Sequence, residues 1–308
     1  MEKAQAAPKS IAVGLALAMV GAVAFSGKAI IVKLAYRHAV DAVTLIMLRM
    51  VFALPFFLAM AWWAGRSRPG VTLPPLRRQD LWGILGLGVT GYYLASFLDF
   101  AGLQYITASL ERLILYLNPT LVLLLGLVLL GRRIGRHQAF GMAISYSGVL
   151  LVFGHEVTLQ GSDVALGAVL VFLSAVSYAI YLFYSGEMVQ RLGAMRLVGL
   201  ATSVACVLCI AQFVLLRPIA SVLQVAPAVM WLSVLNATLC TVVPVMLVMM
   251  AIERVGSSLA AQVGMVGPMA TMVMGVLLLD EPFTGWLVGG TALVIAGVYV
   301  FTRARTAG

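Results

Sequence analysis

The sequence predicts an all-α membrane protein of ten transmembrane helices, built as a 5+5 inverted-topology repeat. Three observations predict it. First, 62% of the 308 residues are hydrophobic and 10% are charged, with a mean hydropathy of +1.06. Soluble domains are about 45–50% apolar and about 25% charged. Second, apolar stretches of roughly 18–25 residues recur along the chain, each able to cross about 30 Å of hydrocarbon. Third, the chain resembles itself at a shift of 149 residues.

The apolar spans fall at about 11–35, 42–64, 81–102, 106–130, 138–154, 164–186, 195–216, 228–250, 257–279 and 285–302. Lys3 and Lys9 precede the first. That span is too long for the apolar core of a signal peptide, so it reads as a retained helix. The longest loop is "GRSRPGVTLPPLRRQD", Gly65 to Asp80, and no soluble domain fits between spans. With a cytoplasmic N-terminus, fourteen Lys and Arg fall in cytoplasmic segments and three, Lys33, Arg37 and Arg217, fall outside. The positive-inside rule therefore favours cytoplasmic termini. The net charge of +9 is explained by topology, and nucleic acid is not an expected partner. Cys206 and Cys209 form a CxxC inside an apolar span, where small packing residues explain it better than redox or metal chemistry.

At the 149-residue shift Pro119 falls on Pro268, Gly126 on Gly275, Gly141 on Gly290 and Gly148 on Gly297. Ser109–Leu110 falls on Ser258–Leu259. The loop "GRRIGRHQ" corresponds to "DEPFTGWL", so arginines give way to Asp280 and Glu281. An odd number of helices per half inverts the second half, and the positive-inside rule then removes arginine from its loop. The halves are residues 1–158 and 159–308 of one membrane domain. Many secondary transporters share this layout, with a site near the midplane between the halves. The stretches "NPTLVLLLGLVLLGRRIGRHQAFGMAISYSGVLLVF" and "GPMATMVMGVLLLDEPFTGWLVGGTALVIAGVYVF" carry a further resemblance. A chain of this length and pattern resembles the EamA-type members of the drug/metabolite transporter superfamily. The resemblance covers nearly the whole chain and implies a multi-pass carrier of a bacterial-type inner (plasma) membrane, often an exporter of amino acids, other metabolites or drugs. It does not fix the substrate.

Ionisable groups within spans are costly and usually face a cavity or a partner. Lys28, Arg49, Asp99, Glu111 and Arg112 all fall in the outer half of the first repeat. They form the core of a candidate substrate site. Tyr92 and Ser96 share a face with Asp99, and Asn118 lies close to the face of Glu111. Tyr178 and Tyr181, with Ser174 and Ser185, answer from the sixth span, and Asn236, Thr238, Thr241 and Gln262 from later ones. Two readings stand side by side. Arg49 with Asp99 or Glu111 forms an ion-pair network that fixes packing, while Lys28, as a lone ammonium, needs a cavity or ligand. Pro119 and Pro268 free the carbonyls of Leu115 and Gly264 and are candidate hinges, or static kinks. Gly285–Gly289 reads as a helix-packing pair. Glu187 and Glu253 lie at helix ends and read as solvated.

The expected function is a secondary carrier for a small anionic or zwitterionic metabolite, with no cofactor and no metal. Its partners are the solute, the lipid bilayer and, for proton-driven transport, protons accepted by Asp99 or Glu111. A homodimer is compatible with the sequence. The alternatives are a flippase for lipid-linked substrates and a membrane enzyme. Against an enzyme, the chain carries no HExxH and no Gly-rich phosphate loop, and His38, His137 and His155 are expected in loops. A channel is disfavoured by the repeat and by the lack of a charged ring.

Overall fold

The computed structural model describes residues 8–66, 75–131, 134–161, 163–255, 260, 263–264 and 266–306. Among them the fold is all-helical, with no strand. Eight helices are long and apolar enough to cross a membrane. They are α1 (Pro8–Tyr36), α2 (Ala42–Ala64), α3 (Arg78–Gly102), α4 (Ala108–Leu130), α5 (Arg136–Gln160), α6 (Asp163–Leu192), α7 (Ala194–Leu216) and α8 (Pro227–Ala237, continuing through Thr238–Val242 into Val243–Val255). Two shorter apolar helices follow, α9 (Gly267–Leu279) and α10 (Gly285–Thr306). The first part of the expected span 257–279 lies largely outside the described residues, Gln262 and Ser258–Leu259 included. So do the side chains of Glu187 and Glu253.

Several helices outrun their apolar cores. α5 continues to Gln160 and α6 to Leu192, where Gly193 at φ 82 stops it. The hydropathy signal ends with the apolar run, but helical hydrogen bonding continues until a residue with a left-handed or extended backbone breaks it. His137 and His155 therefore lie on α5 rather than in loops, and only His38 sits in a turn. All five tryptophans are at least half exposed, and Trp62, Trp63, Trp82, Trp231 and Trp286 lie near helix ends. That is where an indole sits across a membrane–water boundary.

Asp41 starts α2. Its Oδ1 accepts from the amides of Val43 and Thr44 at 3.0 and 3.3 Å, and its Oδ2 accepts from the Thr44 hydroxyl at 2.5 Å. Partial burial pushes its carboxyl up, but the Thr44 hydrogen bonds and Arg217 at 3.4 Å outweigh this and hold it below the usual carboxylate range. A depressed folded-state pKa stabilises above the unfolded value and loses that stabilisation as pH falls through the folded value. Asp41→Ala is expected to cost about 1 kcal/mol near neutral pH. The ionic share of that cost fades as the pH falls below the ordinary carboxylate range. Melting curves of both proteins across pH check it.

The spans are interrupted at corresponding places. α4 breaks after Leu115 and restarts at Asn118 with Pro119 in its first turn, and α9 starts at Gly267 with Pro268 in its first turn. Both end in a left-handed residue, Gly131 at φ 61 and Asp280 at φ 59. α5 and α10 begin at the same 149-residue offset. α3 and α8 each carry a π-helical stretch, Gly88–Leu94 and Thr238–Val242. The prolines thus restart helices rather than bend continuous ones, because a proline is well tolerated in a first turn, and the carbonyls of Leu115 and Gly264 that would face their missing N–H groups are met by side-chain donors.

α1 packs along α8, α3 along α6, α2 along α7 and α5 along α10. The α5–α10 crossing is backbone on backbone. A Cβ at Gly141 would sit 2.7 Å from the Gly297 carbonyl oxygen, and one at Gly148 would sit 2.7 Å from that of Gly290. Gly285 and Gly289, by contrast, face open space. The packing pair expected there is displaced by one residue onto Gly290 and its partners.

Candidate functional site

Lys28, Asp99 and Glu111 come from α1, α3 and α4 and meet in the buried interior. Their side chains are 8%, 4% and 0% exposed, so none of their charges is relieved by bulk water. Lys28 Nζ donates to Asp99 Oδ2 at 2.5 Å and lies 3.1 Å from Glu111 Oε1. The Glu111 approach is close enough for an ion pair, but neither Glu111 oxygen is in hydrogen-bonding geometry. Attraction there is electrostatic rather than directional. Lys28 is therefore not the lone ammonium expected from the sequence. It is clamped between two carboxylates.

The arginines also depart from expectation. Arg49 pairs with neither Asp99 nor Glu111. Its Nε donates to Thr241 Oγ1 at 3.1 Å, its guanidinium lies 5.3 Å from the Phe100 ring centre, and its Nη1 is buried with no hydrogen-bond partner. Arg112 Nε donates to Thr271 Oγ1 at 3.1 Å and its Nη2 to the Phe25 carbonyl at 3.0 Å. The ammonium outcompetes both guanidiniums because it is compact, while each planar fork finds a hydroxyl on the other half of the chain. The second half's contribution at this centre is thus Thr241 on α8 and Thr271 on α9. Thr241 lies in the π-helical stretch and also donates to the Asn236 carbonyl at 2.8 Å.

The remaining candidates divide. Asn118 Nδ2 donates to the Leu115 carbonyl at 2.7 Å, the group that Pro119 leaves without a helical partner. The Gly264 carbonyl, left similarly by Pro268, accepts from the Tyr116 hydroxyl at the α4 break. Ser26 on α1 donates to the Gly267 carbonyl at 3.0 Å. The two breaks are therefore tied together. Replacing Tyr116 by Phe should cost about 1–3 kcal/mol, because it removes the hydroxyl that satisfies the Gly264 carbonyl. Melting of the purified variant checks it.

Tyr92, Tyr178 and Tyr181 form their own cluster. Tyr92 meets Tyr181 edge-on at 5.2 Å with the hydroxyls 3.3 Å apart, and Tyr178 stacks on Tyr181 at 5.4 Å. They pack among Ile84, Leu87, Leu192 and Leu197, away from the charged centre. Ser96 is half-buried between the two groups along α3.

Sequence reasoning missed two carboxylates at the start of α4. Glu281 accepts from the Ala108 amide at 2.6 Å and from the Ser109 hydroxyl at 2.7 Å. Glu156 accepts from the Thr107 hydroxyl, while Thr107 caps the helix by accepting from the Leu110 amide at 3.1 Å. Carboxylates at a helix N-terminus meet unpaired amides and the positive end of the dipole. The signal for Glu281 was present, since the loop exchanges arginines for acids at the repeat offset. Charge topology absorbed it.

The description "EamA-like transporter family" fits the chain twice, over residues 12–154 and 165–303. The chain belongs to the EamA-like transporter family. Two copies of the EamA unit match the recurring helix breaks. Among relatives, an "Uncharacterized transporter YcbK" of Bacillus subtilis is 29% identical, with 94% of each chain covered. A "Probable amino-acid metabolite efflux pump" of Escherichia coli is 25% identical over 70% of this chain and 75% of its own. A solved crystal structure superposes with a TM-score of 0.61 at 19% identity and covers 96% of each chain, which shows a shared fold. As an EamA-family chain of eight or more apolar helices, it is a multi-pass membrane transporter.

Proposed function

We propose that this transporter moves a small amino-acid-like metabolite, anionic or zwitterionic, by alternating access between two inverted five-helix halves. Export from a bacterial-type cytoplasm, with both termini inside, is the direction favoured. The packing supports the inverted repeat. The α1–α8 contact has its counterpart in α6–α3, and α5 and α10 cross antiparallel through glycines that exchange under the 149-residue shift. A two-fold axis relating two antiparallel spans lies in the membrane plane.

The observation that carries the substrate reading is the clamp of Lys28 between Asp99 and Glu111. A solute carboxylate approaching Lys28 competes with both acids, and the displaced acid can take a proton. Binding of the solute and of a proton are then linked through one ammonium. Arg49 and Arg112 leave the centre with one excess positive charge, which favours a ligand bearing a carboxylate. The amino-acid wording in the name of the Escherichia coli relative supports the same class.

The test is transport into proteoliposomes of labelled amino acids and carboxylates under an imposed pH gradient. Glu111→Gln should retain exchange of solute but lose acceleration by the gradient. Asp99→Asn should lower the apparent affinity. Gradient-driven transport at the wild-type rate in both variants would remove these residues from the mechanism.

A further inference from the structure

At the outer end of the same three helices lies a recess of about 410 Å³. Lys33, Gln104 and Thr107 line it, and each lies four or five positions outward of a residue in the buried clamp: Lys28, Asp99 and Glu111 in turn. The recess is therefore stacked over the clamp, roughly 6–8 Å along the helix axes. Arg37, Asp280 and Glu281 complete its charged lining.

Most of these charges already have partners. Arg37 Nη2 donates to the Leu279 carbonyl at 3.0 Å and lies 3.5 Å from Asp280 Oδ2. Glu281 is occupied by the first amides of α4. Lys33 differs. Its Nζ donates to the carbonyls of Leu103 and Ile106 at 3.2 and 3.0 Å, and among the described residues no carboxylate lies within ion-pair distance of it. An ammonium has three donors, so one stays available, on a half-buried side chain that lines the recess. The Asp280 carboxylate, in the same lining, is 89% exposed, so its pairing with Arg37 is screened and easily shared.

We infer that this recess is a second binding site, for a zwitterionic amino-acid-like solute whose carboxylate meets Lys33 and whose ammonium meets Asp280. The inference deepens the carrier reading and rests on it for the site's role as an outer station on the path. A ligand carrying one charge alone would engage one of these two groups and gain nothing from the other.

Saturation-transfer NMR on the purified full chain in lipid nanodiscs tests it, with L-alanine, propionate and ethylamine as probes. L-alanine should bind, and propionate and ethylamine should each bind at least about tenfold more weakly. Lys33→Gln should weaken L-alanine binding by about tenfold. Both are read in the background of the triple variant Lys28→Met/Asp99→Asn/Glu111→Gln, whose clamp no longer holds the solute, so that the binding lost is the recess's own. Should Lys33→Gln fail to fold, Asp280→Asn, an exposed substitution, is expected to show the same loss. The inference is overturned if L-alanine fails to bind or binds no better than both single-charge probes. It is also overturned if, in that background, binding survives the recess substitutions, or if the triple variant by itself no longer binds L-alanine. That last outcome would place the solute at the clamp and leave the carrier reading standing.

Discussion

Replacing Lys28 by Met is expected to destabilise the protein by about 3–5 kcal/mol, the cost of leaving buried charge without its partner. The effect is at the upper end of that range because one ammonium serves two carboxylates, with Glu111 fully buried and Asp99 nearly so. Among the described residues neither acid has another cation within ion-pair distance. Arg49 is committed to Thr241, and Arg112 to Thr271 and the Phe25 carbonyl. The triple variant Lys28→Met/Asp99→Asn/Glu111→Gln removes all three charges while nearly keeping their shapes. Its stability should return to within about 1 kcal/mol of the parent, since a whole buried ion cluster contributes far less than its broken remnant costs. Transport should not return. Melting and proteoliposome transport on the four proteins (parent, Lys28→Met, Glu111→Gln and triple) read the two effects separately. A triple variant that transports at the parent rate would reduce the clamp to a packing device.

The second large effect is expected at the α5–α10 crossing. Gly148→Ala places a methyl 2.7 Å from the Gly290 carbonyl oxygen and 2.9 Å from Leu293 Cβ, and the first of these neighbours is backbone that cannot rotate away. The two helices must separate, and a loss of about 2–3 kcal/mol follows from overpacking of this kind. Gly154 is on the same helix with nothing within 4 Å of its Cβ position. There, Gly→Ala should stabilise by about 0.5–1 kcal/mol through helix propensity alone. The same substitution six residues apart should therefore change sign. Melting of both variants measures it, and a stabilised Gly148→Ala would show that the helices do not cross so closely.

The repeat offset was legible because proline and glycine act on their own backbone. Pro119 and Pro268 set where helices restart, and Gly131 sets where one ends, whatever surrounds them. Asp280 shows the limit of that rule, since an aspartate holds the left-handed position that glycine holds in the first half. Hydropathy located the spans, because a stretch of apolar side chains excludes water wherever it sits. It missed the ends of α5 and α6, where polar residues continue the helix beyond the apolar run.

Sequence by itself determined that this chain is an all-helical, multi-pass membrane protein, and that five ionisable residues fall within its apolar spans. Composition, period and charge are properties of single segments, and they survive without knowledge of which segments touch. Only the tertiary structure decided who pairs with whom. Lys28 rather than Arg49 holds the carboxylates, Glu281 reaches across the chain to cap α4, and the tyrosines join an apolar cluster with Ile84, Leu87 and Leu197. Such choices depend on distances of an ångström or two between helices far apart in sequence, and on which donor reaches an acid first. Local patterns set the depth of a residue along its helix, but not which way its helix turns or what stands opposite.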